Sequence, residues 1–234
     1  MLDFAALLEG FPLAGAGRSV EHRYIAVEGP IGVGKTSLTR LLAERLGGRP
    51  VLEAVEDNPF LSAFYQDRTK HAFQTQLFFL LSRFQQQQAL GQADLFAQVT
   101  VSDYVFAKDR IFAGITLSPD ELALYERIYT ALGPRVVQPD LVIYLQARLD
   151  VLLQRIRRRA RDYERHFDAD YLEHLSRAYN DFFFHYGDTP LLVINTSDID
   201  FVHNEADLDN LVSVVRKMRK GVHHYLPLAD TRPR

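Results

Sequence analysis

Two kinds of apolar pattern alternate along the chain. Short unbroken apolar runs fall at residues 24–27, 51–52, 99–101, 141–145 and 191–194. Runs of this length without polar alternation suit strands buried on both faces of a parallel sheet. Between and after them, helical spacing covers residues 35–46, 59–65, 72–90, 119–132, 149–161, 169–186 and 206–219. Ser118 followed by Pro119 reads as an N-cap and a first helical residue. The alternation predicts an α/β fold, a five-stranded parallel sheet flanked by helices. A Gly/Ala patch at residues 14–17 sets off an N-terminal extension, residues 1–22, from one domain over residues 23–234. In such sheets ligands bind beyond the carboxyl ends of the strands, so the chemistry is expected just after each run.

Composition narrows this picture without redirecting it. The 234 residues carry a net charge of −3, with 47% apolar and 24% charged residues, ordinary for a soluble globular chain. There is no cysteine, which removes disulfide scaffolds, Cys-bound zinc and thiol catalysis and fits a reducing, cytoplasmic setting. No stretch reaches the roughly 20 apolar residues that span a bilayer. The first 23 residues carry Asp3 and Glu9 and no basic leader, so no membrane association is expected. The slightly acidic balance argues against general nucleic-acid binding, which depends on neutralising phosphates. His223 and His224 are adjacent, but without a third ligand they read as surface residues rather than a metal site.

The strongest local signal is Gly29-Pro30-Ile31-Gly32-Val33-Gly34-Lys35-Thr36-Ser37. It matches the phosphate-loop pattern completely and lies between a strand run and a helix run, the context the motif requires. Backbone N–H groups of such a turn and of the following helix converge on an anion. Lys35 is placed to reach the β- and γ-phosphates, and the Thr36 hydroxyl to bind Mg²⁺. The loop implies a nucleoside triphosphate, ATP being the expected donor. It leaves the reaction open, since ATPases, GTPases and several kinases share it.

From Tyr24 to about residue 195 the chain resembles the deoxynucleoside kinases. The resemblance rests on separated motifs: Glu28 to Ser37, then Leu52-Glu53-Ala54-Val55, where Ala54 replaces a proline. It implies a P-loop kinase fold with an arginine-rich lid and makes Glu53 the base that accepts the proton of the nucleoside 5′-hydroxyl. Tyr65, Gln76 and Arg83 fall at the family's intervals for a sugar-binding Tyr, a base-reading Gln and a base-edge Arg. Gln76 and Arg83 are about two helical turns apart and face one direction. Gln74, in the pair Phe73-Gln74, is the competing register.

After the third run the chain reads Ser102-Asp103-Tyr104. Asp103 matches the acid that helps hold Mg²⁺, whereas Tyr104 stands where the family carries an arginine that steadies the base and the transferring phosphoryl group. Arg110, a lid arginine or a different orientation of Glu53 are the openings this leaves. Asp109-Arg110-Ile111-Phe112-Ala113 is similar to a family motif with one residue missing. There Asp109 partners Arg83, a pair that favours purine or cytosine over thymine, and Phe112 serves as a wall of the base pocket.

Residues 155–165 hold six arginines. Such a run is usually a solvated helical face, but here it resembles the family lid. Arg155 and Arg159, at i and i+4, share a face, and Arg161 falls just past the helix. Together they suit neutralisation of charge on a transferring phosphoryl group. Glu164 corresponds to the acid that binds the sugar 3′-hydroxyl with Tyr65. The reading is therefore an ATP- and Mg²⁺-dependent deoxynucleoside 5′-kinase of nucleoside salvage, a homodimer by resemblance. The alternatives are a nucleoside monophosphate kinase akin to thymidylate kinase, or an inactive structural relative.

Overall fold

The computed structural model describes residues 22–92, 99–161 and 168–225. The strands are β1 (Tyr24–Glu28), β2 (Arg49–Val51), β3 (Thr100–Ser102), β4 (Leu141–Gln146), β5 (Leu191–Asn195) and β6 (Val222–Tyr225). They form one sheet of order β2-β3-β1-β4-β5-β6, every pairing parallel. The helices are α1 (Lys35–Leu46), α2 (Leu61–Gln66), α3 (Arg68–Gln92), α4 (Lys108–Thr116), α5 (Pro119–Leu132), α6 (Leu149–Arg159), α7 (Ala169–Phe184) and α8 (Glu205–Lys217).

Five of these strands are the apolar runs read from the sequence, shifted by a residue or two at their ends. The sixth corrects the five-stranded expectation. β6 is Val-His-His-Tyr at the sheet edge with its first three residues exposed, so it lacks the apolar signature of a strand covered on both faces. Helix α4 was also absent from the periodic reading, because Lys108 and Asp109 occupy two of its buried positions. The Ser118–Pro119 start of α5 is found, closed by a capping box with Glu121. No helix among the described residues is long and apolar enough to cross a membrane.

The central strands β1 and β4 and the first four residues of β5 are buried. Leu38 and Leu42 of α1, Leu152 and Ile156 of α6, Leu172 and Leu175 of α7 and Leu211 and Val215 of α8 pack against them. A smaller cluster around Leu80, Phe106, Ala113 and Tyr125 joins α3, α4 and α5. The chain reverses its strand order at β1, which lies between β3 and β4. Ligands are expected in the crevice at that switch point, and a cleft of about 1170 Å³ opens there.

Candidate active site

The loop between β1 and α1 forms one wall of the cleft. Gly32 and Gly34 adopt φ of 85° and 107°, which L side chains rarely take. A Cβ on Gly32 would sit 2.9 Å from the Leu152 carbonyl oxygen, so glycine also lets the loop lie flat on α6. Residues Ile31 to Ser37 line the cleft, while Gly29 and Pro30 offer their carbonyls to Lys35 Nζ at 2.7 and 3.2 Å. Burial and then the nearby charge of Lys108 lower the Lys35 pKa to about 8. Beneath the loop Glu28 is fully buried. Its carboxylate accepts from the N–H of Gly29 (2.9 Å), the N–H of Val105 (3.0 Å) and the hydroxyl of Tyr179 (2.9 Å). Sequence reading gave this acid no separate role; a charged residue ending an otherwise apolar strand was the available signal.

Adjacent strand ends bring the acids together. Val51 of β2 lies in register with Ser102 of β3, so Glu53 and Asp103 follow side by side. The Asp103 carboxylate accepts from the Glu53 N–H at 2.7 Å and from the Thr36 hydroxyl at 2.6 Å. Thr36 and Asp103 thus present hard oxygen ligands at the end of the phosphate loop, the donor type that Mg²⁺ takes together with substrate phosphates. Among the described residues no group of three or more His, Cys, Asp or Glu side chains is placed to hold a metal ion.

The Glu53 side chain enters a buried charge network. It pairs with Arg83 and, at 2.8 Å, with Lys108 Nζ, and Arg83 also pairs with Asp109. Exposure of these four side chains runs from 0 to 9%, deep enough that Coulomb terms are weakly screened. Burial alone would raise the Glu53 pKa; Arg83 and Lys108 outweigh it and hold the carboxyl down to about 2. Two polar atoms in this network, Arg83 Nε and Asp109 Oδ2, are buried without a hydrogen-bond partner among the described residues. Gln76 (2% exposed) and Tyr65, Phe79 and Phe112 line the same end of the cleft as Arg83. Gln74 does not line it and instead bonds His71 Nδ1 at 2.8 Å.

The arginines divide into distinct positions. Arg155 is tied down: its guanidinium donates to the Val33 carbonyl (3.2 Å), the Thr196 hydroxyl (2.9 Å) and the Thr196 carbonyl (2.8 Å). Arg159 ends α6, Ala160 follows in a left-handed conformation, and Arg161 lies beyond the helix with Glu56 at 3.4 Å. All three arginines line the cleft. Glu164 lies outside the described residues.

Tyr104 is fully buried, with the Gln87 side chain beside its hydroxyl. Arg110 turns away to Glu126 at 2.9 Å and lies over the Tyr129 ring. Neither supplies the cation missing at position 104. Lys108, which sequence reading passed over, is the residue found beside Glu53. A lone Lys between Ala107 and Asp109 resembles any helix-surface lysine, and only its burial sets it apart.

Comparison with known proteins points to one family. The profile of the family described as deoxynucleoside kinase matches residues 25–220. A deoxyguanosine kinase of Bacillus subtilis (strain 168) is 36% identical over 200 residues, spanning 83% of this chain and 97% of the relative. A deoxyadenosine/deoxycytidine kinase of the same strain is 32% identical over 201 residues, spanning 83% and 92%. Among solved structures, deoxyadenosine kinase from M. mycoides with bound dCTP superposes with a TM-score of 0.72 at 24% identity, covering 83% of this chain and all of that one, which speaks for the fold. The phosphate loop, the paired acids at neighbouring strand ends and the length of these matches lead to one conclusion: the chain belongs to the deoxynucleoside kinase family.

Proposed function

We propose that this kinase moves the γ-phosphoryl group of ATP to the 5′-hydroxyl of a purine or cytosine deoxynucleoside, with Glu53 as base. The observation that carries the assignment is the placement of Glu53 between the Asp103–Thr36 pair at the phosphate loop and the Arg83–Asp109 pair at the other end of the cleft. The loop amides and Lys35 hold the donor phosphates. Thr36 and Asp103 would hold Mg²⁺, which would supply positive charge to neutralise the donor phosphates. Glu53 takes the 5′-hydroxyl proton as the new O–P bond forms and the bridging bond to ADP breaks. Arg159 and Arg161 balance charge on the transferring group while Arg155 fixes the lid helix to the loop.

At the acceptor end Tyr65 and Glu164 bind the sugar 3′-hydroxyl, and Phe112 walls the base. Gln76, Arg83 and Asp109 read the base edge. Arg83 Nε and Asp109 Oδ2, without a hydrogen-bond partner among the described residues, offer a donor and an acceptor to a base edge, and the resemblance to the family links this Arg–Asp pair with purine or cytosine. The enzyme we propose is a cytoplasmic homodimer. Exposed Leu81, Ile115 and Leu124 on the mutually packed α3, α4 and α5 support an apolar contact there.

Labelled ATP offered with deoxyadenosine, deoxyguanosine, deoxycytidine, thymidine and their monophosphates tests the reading. Transfer to the first three nucleosides is expected, with thymidine poorest. Phosphorylation of the monophosphates alone would overturn it in favour of a monophosphate kinase.

A further inference from the structure

Among the described residues Glu53 pairs with two cations, and their situations differ. Arg83 is shared: Asp109 holds its other terminal nitrogen, its Nε is an open donor, and it sits with Gln76 and Phe112 where the base is read. A bound base therefore competes for the guanidinium. Lys108 is committed. It opens α4, its side chain is 4% exposed, its one ion pair among the described residues goes to Glu53 Oε2, and the Phe112 ring lies 5.7 Å away. It lines the cleft together with Glu53 and Lys35, so it stands where the acceptor and donor halves meet.

We propose that Lys108 is the positioning residue of the phosphoryl-transfer base. It holds Glu53 aimed at the 5′-hydroxyl while Arg83 serves the nucleobase, the duty for which position 104 offers only a buried tyrosine. The inference rests on Glu53 being the base. Without Lys108 the carboxylate keeps only Arg83 as a cationic partner among the described residues, and a guanidinium drawn toward the base no longer fixes its direction. Lysine suits the position: its compact ammonium fits beneath a carboxylate already flanked by a guanidinium. In the transfer itself Lys108 keeps all its protons. Glu53 gains the proton lost by the 5′-oxygen, and ADP leaves with the electron pair of the broken P–O bond.

The test is steady-state kinetics of Lys108→Met and Lys108→Arg beside Glu53→Gln, using ATP and the nucleoside the wild type phosphorylates best. Loss of the charge in K108M is expected to lower kcat about 100-fold while nucleoside KM moves less than about threefold. Rescue separates positioning from packing: K108R should return kcat to within about fivefold of wild type. A K108M enzyme within threefold of wild type overturns the proposal, as does an equal loss of kcat in K108M and K108R. If K108M does not fold, Lys108→Gln takes its place, and failure of both to fold assigns the residue to the core and ends the proposal. Glu53→Gln separates the two readings: an active E53Q removes the base assignment itself, whereas an inactive E53Q beside an active K108M removes only the role of Lys108.

Discussion

The two halves of the cleft are built by different means. The donor half is mostly backbone: a glycine loop, a helix start and strand-end carbonyls that tie down Lys35 and Arg155. Its remaining charges are partly solvated, with Arg161 32% and Glu56 70% exposed. The acceptor half is almost all side chain: Glu53, Arg83, Lys108 and Asp109 come from the segment just after β2, from α3 and from α4, and are nearly dry. A backbone site tolerates change in its side chains and responds to salt. A buried side-chain network is intolerant, because each charge depends on the others for compensation.

The largest effect should come from breaking that network. Asp109 is fully buried against Arg83. Asp109→Asn removes one of two anions facing the guanidinium and should cost about 3–5 kcal/mol of unfolding free energy. Glu56→Gln, which removes the half-solvated partner of Arg161, should cost less than about 0.5 kcal/mol. Urea denaturation of both variants checks the contrast. Equal losses would mean that the two halves are not built differently.

The same contrast explains what the sequence made legible. The donor half is a contiguous motif whose spacing is its geometry, and residues 29–37 fold as the pattern requires. The strands that feed it are unbroken apolar runs. The acceptor half is spread from Glu53 to Asp109, and only the family intervals joined its members. Lys108 escaped even these, since nothing local distinguishes a buried lysine from a solvated one. β6 escaped because an exposed edge strand needs no apolar residues. Tyr104 showed that an arginine was missing but not where its replacement stood; that depended on how α4 packs.

The halves should also titrate apart. Glu53 is held down to about 2 against 4.5 for the free side chain, its two cations outweighing the upward push of burial. Its pairing therefore stabilises the fold fully above pH 4.5, and that stability is lost as pH falls through about 2. Lys35 is also lowered, to about 8 from 10.5, by burial and then by Lys108, but in a lysine this disfavours the charged form. Its charge is a cost to the free protein below pH 8, and this cost fades between pH 8 and 10.5 as the unfolded chain keeps the proton longer. ATP phosphates favour charged Lys35, so binding above pH 8 must take up a proton. The ATP Kd should then rise by up to about tenfold per pH unit between 8 and 10. Calorimetry in two buffers of different ionisation enthalpy reads the proton uptake directly. A Kd flat over that range would show that the lysine keeps its charge in the free loop.

The smallest effect belongs to the end of α6, where the donor half joins its lid. Ala160 closes the helix at φ 50° and sends Arg161 out of the helical path. A left-handed alanine costs roughly 1–2 kcal/mol, and glycine there avoids it. Glycine also gives back about 0.4–1 kcal/mol through the freer unfolded chain. Ala160→Gly should therefore move the melting temperature by no more than a few degrees, upward, with kcat within about twofold of wild type. Ala160→Val is the sharper probe, since a β-branched residue resists positive φ. It should pull the helix end out of the left-handed turn and displace Arg161 from the cleft. The expected result is a kcat lowered several-fold with a smaller rise in the nucleoside KM, because Glu53, Arg83, Lys108 and Asp109 precede this turn and only Glu164, which we place on the sugar, follows it. A rise in nucleoside KM larger than the loss in kcat would show that the turn serves the acceptor half first, and that the division between the halves ends short of the lid.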